Sequence, residues 1–124
     1  MKRDSEAMKL RTKEFALRVL RLYRSLPRTE EARILGRQLL RSSTSIGANY
    51  RAACRGRSRA EFVAKLGIVL EEADETVFWL ELFQEGNIFP KEKLRDLVRE
   101  ANELVAIFVS SVCTARALPL QFDL

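Results

Sequence analysis

The sequence predicts an all-α protein, an antiparallel up-down-up-down four-helix bundle, from its composition, its three chain breaks and its apolar periodicity. The chain has 124 residues, 47% of them apolar, with only five glycines and three prolines, and this composition favours helices. The breaks leave four long segments joined by short connections, so that successive helices must run antiparallel. The length fits one domain spanning residues 1–124.

The first helix is predicted near residues 6–26 and ends at the break Leu26-Pro27-Arg28-Thr29. Proline inside a helix removes a backbone hydrogen bond, and threonine is a good N-cap for the helix that follows. The second helix is therefore predicted near residues 29–55. The apolar positions of the first helix are Phe15, Ala16, Val19, Leu20, Leu22, Tyr23 and Leu26.

The second break is Gly56-Arg57-Ser58. We expect Gly56 to end the second helix in the left-handed conformation, and we expect Ser58 and Glu61 to form a capping box. The third helix is predicted near residues 58–85. Its apolar residues step by four and three, which is typical of a heptad seam. The seam consists of Phe62, Leu66, Val69, Ala73, Thr76, Leu80 and Phe83.

The third break runs from Gly86 to Pro90, and proline suits the first turn of the fourth helix, predicted near residues 90–117. Its seam contains Leu94, Val98, Ala101, Val105, Phe108, Val112 and Ala115, widened by Leu97, Leu104 and Val109. Beyond it lies an apolar C-terminal tail, residues 118–124, with alternating Leu118, Leu120, Phe122 and Leu124. Docking of the tail in a groove of its own or a neighbouring subunit and disorder are both open interpretations.

Charge divides the chain into two halves. Residues 1–65 contain 17 Lys and Arg against 6 Asp and Glu, whereas residues 66–124 contain 5 against 11, so the halves carry +11 and −6. A basic surface for nucleic acid, attraction between the halves, and ordinary solvated helix faces all fit this division.

The second helix has an arginine face. If the helix is continuous, its arginines share a wedge of about 80° on a helical wheel. They are Arg33, Arg37, Arg41, Arg51 and Arg55. Beside them lies a strip of small polar residues, namely Gln38, Ser42, Ser45 and Asn49. This strip fits either a polar network shared within an assembly, with Gln38, Ser45 and Asn49 as members, or ordinary polarity at a helix flank.

The third helix has a second face, away from its seam, on which apolar and charged residues fall within about 100° of each other. It consists of Glu61, Ala64, Lys65, Ile68, Glu72, Glu75, Trp79 and Leu82. An aromatic anchor in charged surroundings is typical of a buried contact surface. We interpret the face as an oligomer interface, with a wide monomer core as the alternative. Its glutamates could pair with the arginines of the second helix.

No catalytic, cofactor-binding or metal site, and no small-molecule substrate, is expected from the sequence. Histidine is absent, Cys54 and Cys113 lack Cys-x-x-Cys spacing, and no glycine-rich phosphate loop occurs. The alternative is a carboxylate site of Glu72, Glu75 and Glu61. The N-terminus has no apolar run typical of a signal peptide, and no segment is long enough to span a membrane. We therefore expect a cytoplasmic, non-enzymatic protein.

Four stretches resemble a known family. They are Arg41 to Ala53 (RSSTSIGANYRAA), Arg57 to Phe62 (RSRAEF), Lys65-Leu66, and Glu71 to Thr76 (EEADET). Together they are similar to the four-helix-bundle proteins encoded in intervening sequences of bacterial large-subunit ribosomal RNA genes. The similarity extends from about Phe15 to Ala117. The family pattern falls on Ser45, Asn49, Arg57, Ser58, Glu61, Phe62, Lys65, Glu72 and Glu75, without giving them a chemical role.

This resemblance implies a homopentamer of unknown molecular function, with RNA or other nucleic acid as a candidate partner. A group of proteins similar in fold serves as accessory proteins of diversity-generating retroelements. These accessory proteins bind nucleic acid and a reverse transcriptase. The sequence thus favours a homo-oligomeric scaffold that binds nucleic acid. The alternative is a protein-binding accessory module, of the retroelement or reverse-transcriptase partner type, without direct nucleic-acid contact. Fold similarity alone does not decide between them.

Overall fold

The computed structural model describes residues 2–117, and four helices account for nearly all of them. They are α1 (Lys2–Arg24), α2 (Glu30–Cys54), α3 (Arg59–Glu85) and α4 (Lys91–Ala117). No strand occurs between residues 2 and 117. Each helix packs on the next one along the chain, and α1 and α4 close the bundle with the least extensive contact. The predicted four-helix bundle is confirmed, while the tail of residues 118–124 lies outside the described residues.

The core is built on the seam of α3. Every predicted seam residue of α3 is buried except Phe62, which is partly buried. Phe15 and Val19 of α1 and Leu39 and Ile46 of α2 join the same core. In α4 the prediction holds for Leu97 and Leu104 and is wrong for Val109, which is 45% exposed. Val109 lies further around the helical wheel from the centre of the buried stripe than the two leucines do.

The starts of α2 and α3 follow the predicted capping residues, whereas α1 begins at Lys2, four residues before the predicted start. The Thr29 hydroxyl accepts a hydrogen bond from the N–H of Ala32 (3.2 Å), and the Ser58 hydroxyl accepts one from the N–H of Glu61 (3.2 Å). The Glu61 carboxylate accepts from the N–H of Arg57 (3.3 Å), one residue before the donor that a standard capping box uses.

Two helix ends differ from the prediction. Helix α1 stops at Arg24, two residues early, because the N–H groups of Ser25 and Leu26 bond to carbonyls three residues back, which tightens the chain ahead of Pro27. The prediction of a left-handed Gly56 is wrong, since no glycine within residues 2–117 has a positive φ. Helix α2 ends instead with a similar tightening, in which Gly56 donates to the carbonyl of Ala53 (2.9 Å).

Within residues 2–117 the left-handed residue is Asn87, with a φ of 55°. Its N–H donates to the carbonyl of Gln84 (3.2 Å), and the N–H of Ile88 donates to the carbonyl of Phe83 (3.1 Å). This pair of bonds is the Schellman pattern, and asparagine tolerates the left-handed conformation better than most residues do. Ile88 then packs against the core, which fixes the direction in which the chain enters α4.

One polar contact crosses the core between α2 and α3. The buried hydroxyls of Ser42 and Thr76 lie 2.9 Å apart, and the Thr76 hydroxyl is also 2.8 Å from the carbonyl oxygen of Glu72. The Ser42 hydroxyl donates to the carbonyl of Leu39 (3.3 Å). Both hydroxyls are therefore satisfied, and their contact links α2 to α3 within the core.

We expect Thr76→Val to lower the free energy of unfolding by about 1 kcal/mol, because the Ser42 hydroxyl then loses its partner on the other helix. In the Thr76→Val protein, Ser42→Ala should lower the free energy of unfolding by about 0.5–1 kcal/mol less than it does in the wild type. Urea unfolding of the four proteins measures this cycle. Thr44→Val is the control, since the exposed Thr44 hydroxyl bonds only within its own helix. Strictly additive losses would contradict a direct contact.

Candidate interaction surfaces

The arginine face of α2 is exposed along its whole length. All five arginines predicted for it, Arg33, Arg37, Arg41, Arg51 and Arg55, are exposed. Four of them form no side-chain hydrogen bond and no ion pair with any part of the chain that the structure describes, Arg41 being the exception. Arg33, Arg37 and Arg55 thus present guanidinium groups without a carboxylate partner among the described residues, while the charge of Arg51 acts on the carboxylate of Glu6.

Arg41 connects α2 to α3. Its Nη1 lies 3.2 Å from Oε1 of Glu72, and its Nη2 lies 2.6 Å from Oε2 of Glu75. Its Nε donates to the side-chain carbonyl of Gln38 (3.2 Å). The pKa of Arg41 is raised, chiefly by the hydrogen bond to Glu75. Burial raises the pKa of the Glu72 carboxyl, while Arg41 opposes this by favouring the charged form.

The polar strip of α2 bonds mainly to its own helix. Ser45 donates to the carbonyl of Arg41 (2.8 Å), and the amide of Asn49 donates to the carbonyl of Ser45 (2.9 Å). Both side chains are half-buried. The polar side chain of this strip that reaches α3 is Ser42, which contacts Thr76. The sequence offered a signal for this contact, because Thr76 is the one hydroxyl residue in the apolar seam of α3.

Helix α3 presents an apolar outer face, which we define as Ala64, Gly67, Ile68, Phe78 and Leu82. Ile68 is 37% exposed and Phe78 is 50% exposed. No atom lies within 4 Å of the position that a Cβ on Gly67 would occupy. Ile68 and Phe78 lie ten residues apart on this face, about 15 Å along the helix axis, with Glu71 and Glu75 between them. The exposed side chains and small residues leave room for another surface to pack closely.

The sequence pattern did not identify Phe78 as an interface residue and centred the predicted interface on Trp79. The two rings lie edge to face, with centroids 5.0 Å apart and planes at 69°. Trp79 is half-buried and packs on the core of its own subunit, whereas Phe78 points outward. A helical wheel indicated that α3 has two apolar faces. Which of the two rings faces outward depends on how α3 is rotated about its own axis relative to α2 and α4.

The other residues of the predicted interface divide by exposure. Glu61 is exposed, while Lys65, Glu72, Glu75 and Leu82 are half-buried. Among the described residues, the buried Nε1 of Trp79 has no hydrogen-bond partner. The indole therefore contributes ring area rather than a hydrogen bond, at a cost of about 1–3 kcal/mol for the unpaired N–H.

A second ion cluster joins α1 to α4, and the sequence did not indicate it. The guanidinium of Arg11 binds both oxygens of Glu100, each at 2.7 Å, and Nη2 also lies 2.8 Å from Glu103. The hydrogen bond to Glu100 is the main reason why the pKa of Arg11 is raised. Glu100 and Glu103 stand one turn apart in the sequence, but their partner is almost ninety residues away.

Helix α1 carries two exposed leucines on its outer side, Leu10 (57%) and Leu17 (43%), near the exposed Lys13 and Arg21. We call these four residues the α1 outer face. It combines apolar area with positive charge, whereas the α3 outer face is accompanied by the exposed Glu71 and by Glu75, which is already paired with Arg41. The two faces are therefore complementary in both respects.

The described residues hold no group of three or more His, Cys, Asp or Glu side chains placed to bind a metal ion. Cys54, half-buried, and Cys113, exposed, are both free thiols. Over residues 2–117, no helix combines the length and hydrophobicity needed to cross a bilayer.

Comparison with known proteins gives a matching family and similar solved structures. The family model described as 23S rRNA-intervening sequence protein matches residues 4–110. A crystal structure of a protein of unknown function from the S23 ribosomal protein family of Bacteroides thetaiotaomicron is 38% identical. The match covers 84% of this chain and 96% of that one, with a TM-score of 0.78. No curated protein sequence matches.

We expect Arg41→Gln to lower the free energy of unfolding at pH 7 by about 0.5–1 kcal/mol, the usual value of an exposed pair. Without Arg41 the pKa of Glu72, already raised by burial, rises further. A carboxyl with a raised pKa destabilises the fold when it is ionised, so the loss should shrink as the pH falls toward 5. Urea unfolding at the two pH values measures it.

Arg37→Gln is the matched control, because Arg37 is exposed on the same helix without a carboxylate partner among the described residues. It should leave stability within about 0.5 kcal/mol at both pH values. A loss in Arg41→Gln that is the same at pH 7 and pH 5 would show that Glu72 does not depend on Arg41.

Proposed function

This chain belongs to the family of 23S rRNA-intervening sequence proteins, and we propose that it is a non-enzymatic, self-assembling bundle protein that binds nucleic acid, RNA first of all, through the arginine face of α2. The observation that carries this proposal is the exposed row of five arginines on α2, of which Arg33, Arg37 and Arg55 have no carboxylate partner among the described residues. The proposed location is the cytoplasm, in keeping with two free thiols.

The arginine face suits a phosphate backbone. Arg33 and Arg55 stand 22 positions apart, which corresponds to about 33 Å along the helix axis. Guanidinium groups bind phosphate oxygens through two parallel hydrogen bonds, and such contacts position a protein on nucleic acid without reading its sequence. We therefore propose binding that is sequence-independent and strongly dependent on salt.

Self-assembly uses different surfaces in this proposal. The apolar, acidic outer face of α3 in one copy packs on the apolar, basic outer face of α1 in the next copy. Such a contact joins two different patches, and it closes into a ring if the rotation between copies allows. This arrangement leaves the arginine face of α2 free, and a ring would present it several times over. The number of five subunits is supported by the family resemblance alone.

A second candidate function is that of a protein-binding accessory module, of the kind that assists a reverse transcriptase. The exposed Leu10 and Leu17 favour it, because the α1 outer face would equally accept an acidic, apolar surface of another protein. A chain that is monomeric in solution and does not bind RNA would favour this second candidate over the first.

We expect Phe78→Glu to reduce the mass of the assembly toward that of the 14.3 kDa subunit, because a carboxylate would lie in an apolar contact beside other glutamates. Light scattering coupled to size exclusion measures the mass, and circular dichroism should show unchanged helix content. Ile34→Glu, which places the same charge at a site 51% exposed on α2, is the control and should leave the mass unchanged. A wild-type mass of 14.3 kDa, or a Phe78→Glu protein of wild-type mass, would refute this interface.

We expect the double variant Arg37→Gln/Arg55→Gln to bind structured RNA more weakly and to lower the slope of log affinity against log salt by about 1.4–1.8, since each lost phosphate contact contributes about 0.7–0.9. Fluorescence anisotropy at several salt concentrations measures both. Arg95→Gln/Arg116→Gln on α4 removes the same charge from exposed positions elsewhere and should change the slope little. No binding at low salt, or equal losses in both double variants, would contradict the role of α2.

A further inference from the structure

A cleft lies where α1 turns into α2. Its volume is about 660 Å³, within the usual range for small-molecule sites. The residues lining it come from the end of α1, the connecting turn and the start of α2. They are Tyr23, Arg24, Leu26, Pro27, Arg28, Thr29, Glu30, Ala32 and Arg33.

The rim of this cleft is cationic. Arg24, Arg28 and Arg33 are exposed, and none of the three guanidinium groups forms a hydrogen bond or an ion pair with the described residues. Glu30 is the one carboxylate among the lining residues. The Thr29 hydroxyl is already used in capping the N–H of Ala32, so the arginines rather than the helix end supply the positive charge.

The floor of the cleft is apolar and shaped by a missing side chain. A Cβ on Gly36 would lie 2.8 Å from Cδ1 of Leu26 and 3.3 Å from the ring of Tyr23. Glycine at this position therefore lets both side chains settle against α2. The half-buried Tyr23 ring offers a planar surface, and its hydroxyl has no hydrogen-bond partner within residues 2–117.

We propose that this cleft binds a nucleoside phosphate, with the phosphate held by Arg24, Arg28 and Arg33 and the base placed against Tyr23 and Leu26. Phosphate oxygens match the fork of a guanidinium, and aromatic side chains accept any base by stacking. The ligand is a free nucleotide or the phosphorylated end of a strand. The inference goes beyond the proposed function, because Arg24 and Arg28 do not belong to the arginine face of α2.

The test compares adenosine 5′-monophosphate, adenosine and inorganic phosphate by calorimetric titration of the full chain at low salt, together with RNA hexamers that carry a 5′-phosphate or a 5′-hydroxyl. We expect the monophosphate to bind more tightly than phosphate or adenosine. Arg28→Gln should weaken binding about tenfold, the value of one charge-assisted hydrogen bond. Glu30→Gln should strengthen monophosphate binding a few-fold, because it removes a negative charge beside the phosphate. Opposite effects of Arg28→Gln and Glu30→Gln on affinity would not be expected if the turn had a purely structural role.

Arg95→Gln is the control, since Arg95 is exposed on α4 and does not line the cleft, and it should leave monophosphate binding unchanged. Binding of the monophosphate that depends on Arg28 identifies a free nucleotide as sufficient, whereas a preference for the phosphorylated hexamer alone identifies a strand end. The proposal is overturned if neither a free nor a strand-borne phosphate adds affinity, or if folded Arg24→Gln and Arg28→Gln proteins bind as the wild type does. Loss of RNA binding in Arg37→Gln/Arg55→Gln tests only the α2 face.

Discussion

The rotational setting of α3 about its own axis is the constraint on which the other features depend. Helix α3 packs between α2 and α4, and its seam from Leu66 to Phe83 supplies the centre of the core. The same rotation brings Thr76 to Ser42 and carries Glu72 and Glu75 to Arg41. It also leaves Phe78 facing outward. A rotation of α3 by one position would bury a glutamate or the phenylalanine and expose part of the seam.

The local features of the fold were largely predictable because they depend on neighbours in the chain. Thr29 and Ser58 cap their helices as expected, and the four-three stepping of α3 identified its buried residues. Gly56 does not adopt the left-handed conformation at the end of α2, since glycine is permitted that conformation but is not forced into it. At the end of α3 the left-handed residue is Asn87, which the sequence pattern did not single out.

The candidate surfaces were harder to predict, because they depend on how helices face each other. The arginine face of α2 follows from spacing within one helix, and all five of its members are exposed. Arg41 differs from the other four arginines because it pairs with α3, and this can be predicted only when the position of α3 is known. The pairing of Arg11 with Glu100 likewise depends on the position of α4. Phe78 and Trp79 are neighbours in the chain and point about 100° apart around the axis of α3. A helical wheel gives this angle but not which of the two directions faces the core.

The side of the bundle between α1 and α4 is closed by the least extensive contact, with Arg11 and its two glutamates across it. Regions with few buried contacts open at lower free energy than the rest of a fold. We therefore expect the bundle to open first between α1 and α4, whereas Phe15, Val19 and Leu22, buried in the core, hold the inner side of α1. A molecule that binds the outside of α1 would then act on the helix that borders the weakest seam of the bundle.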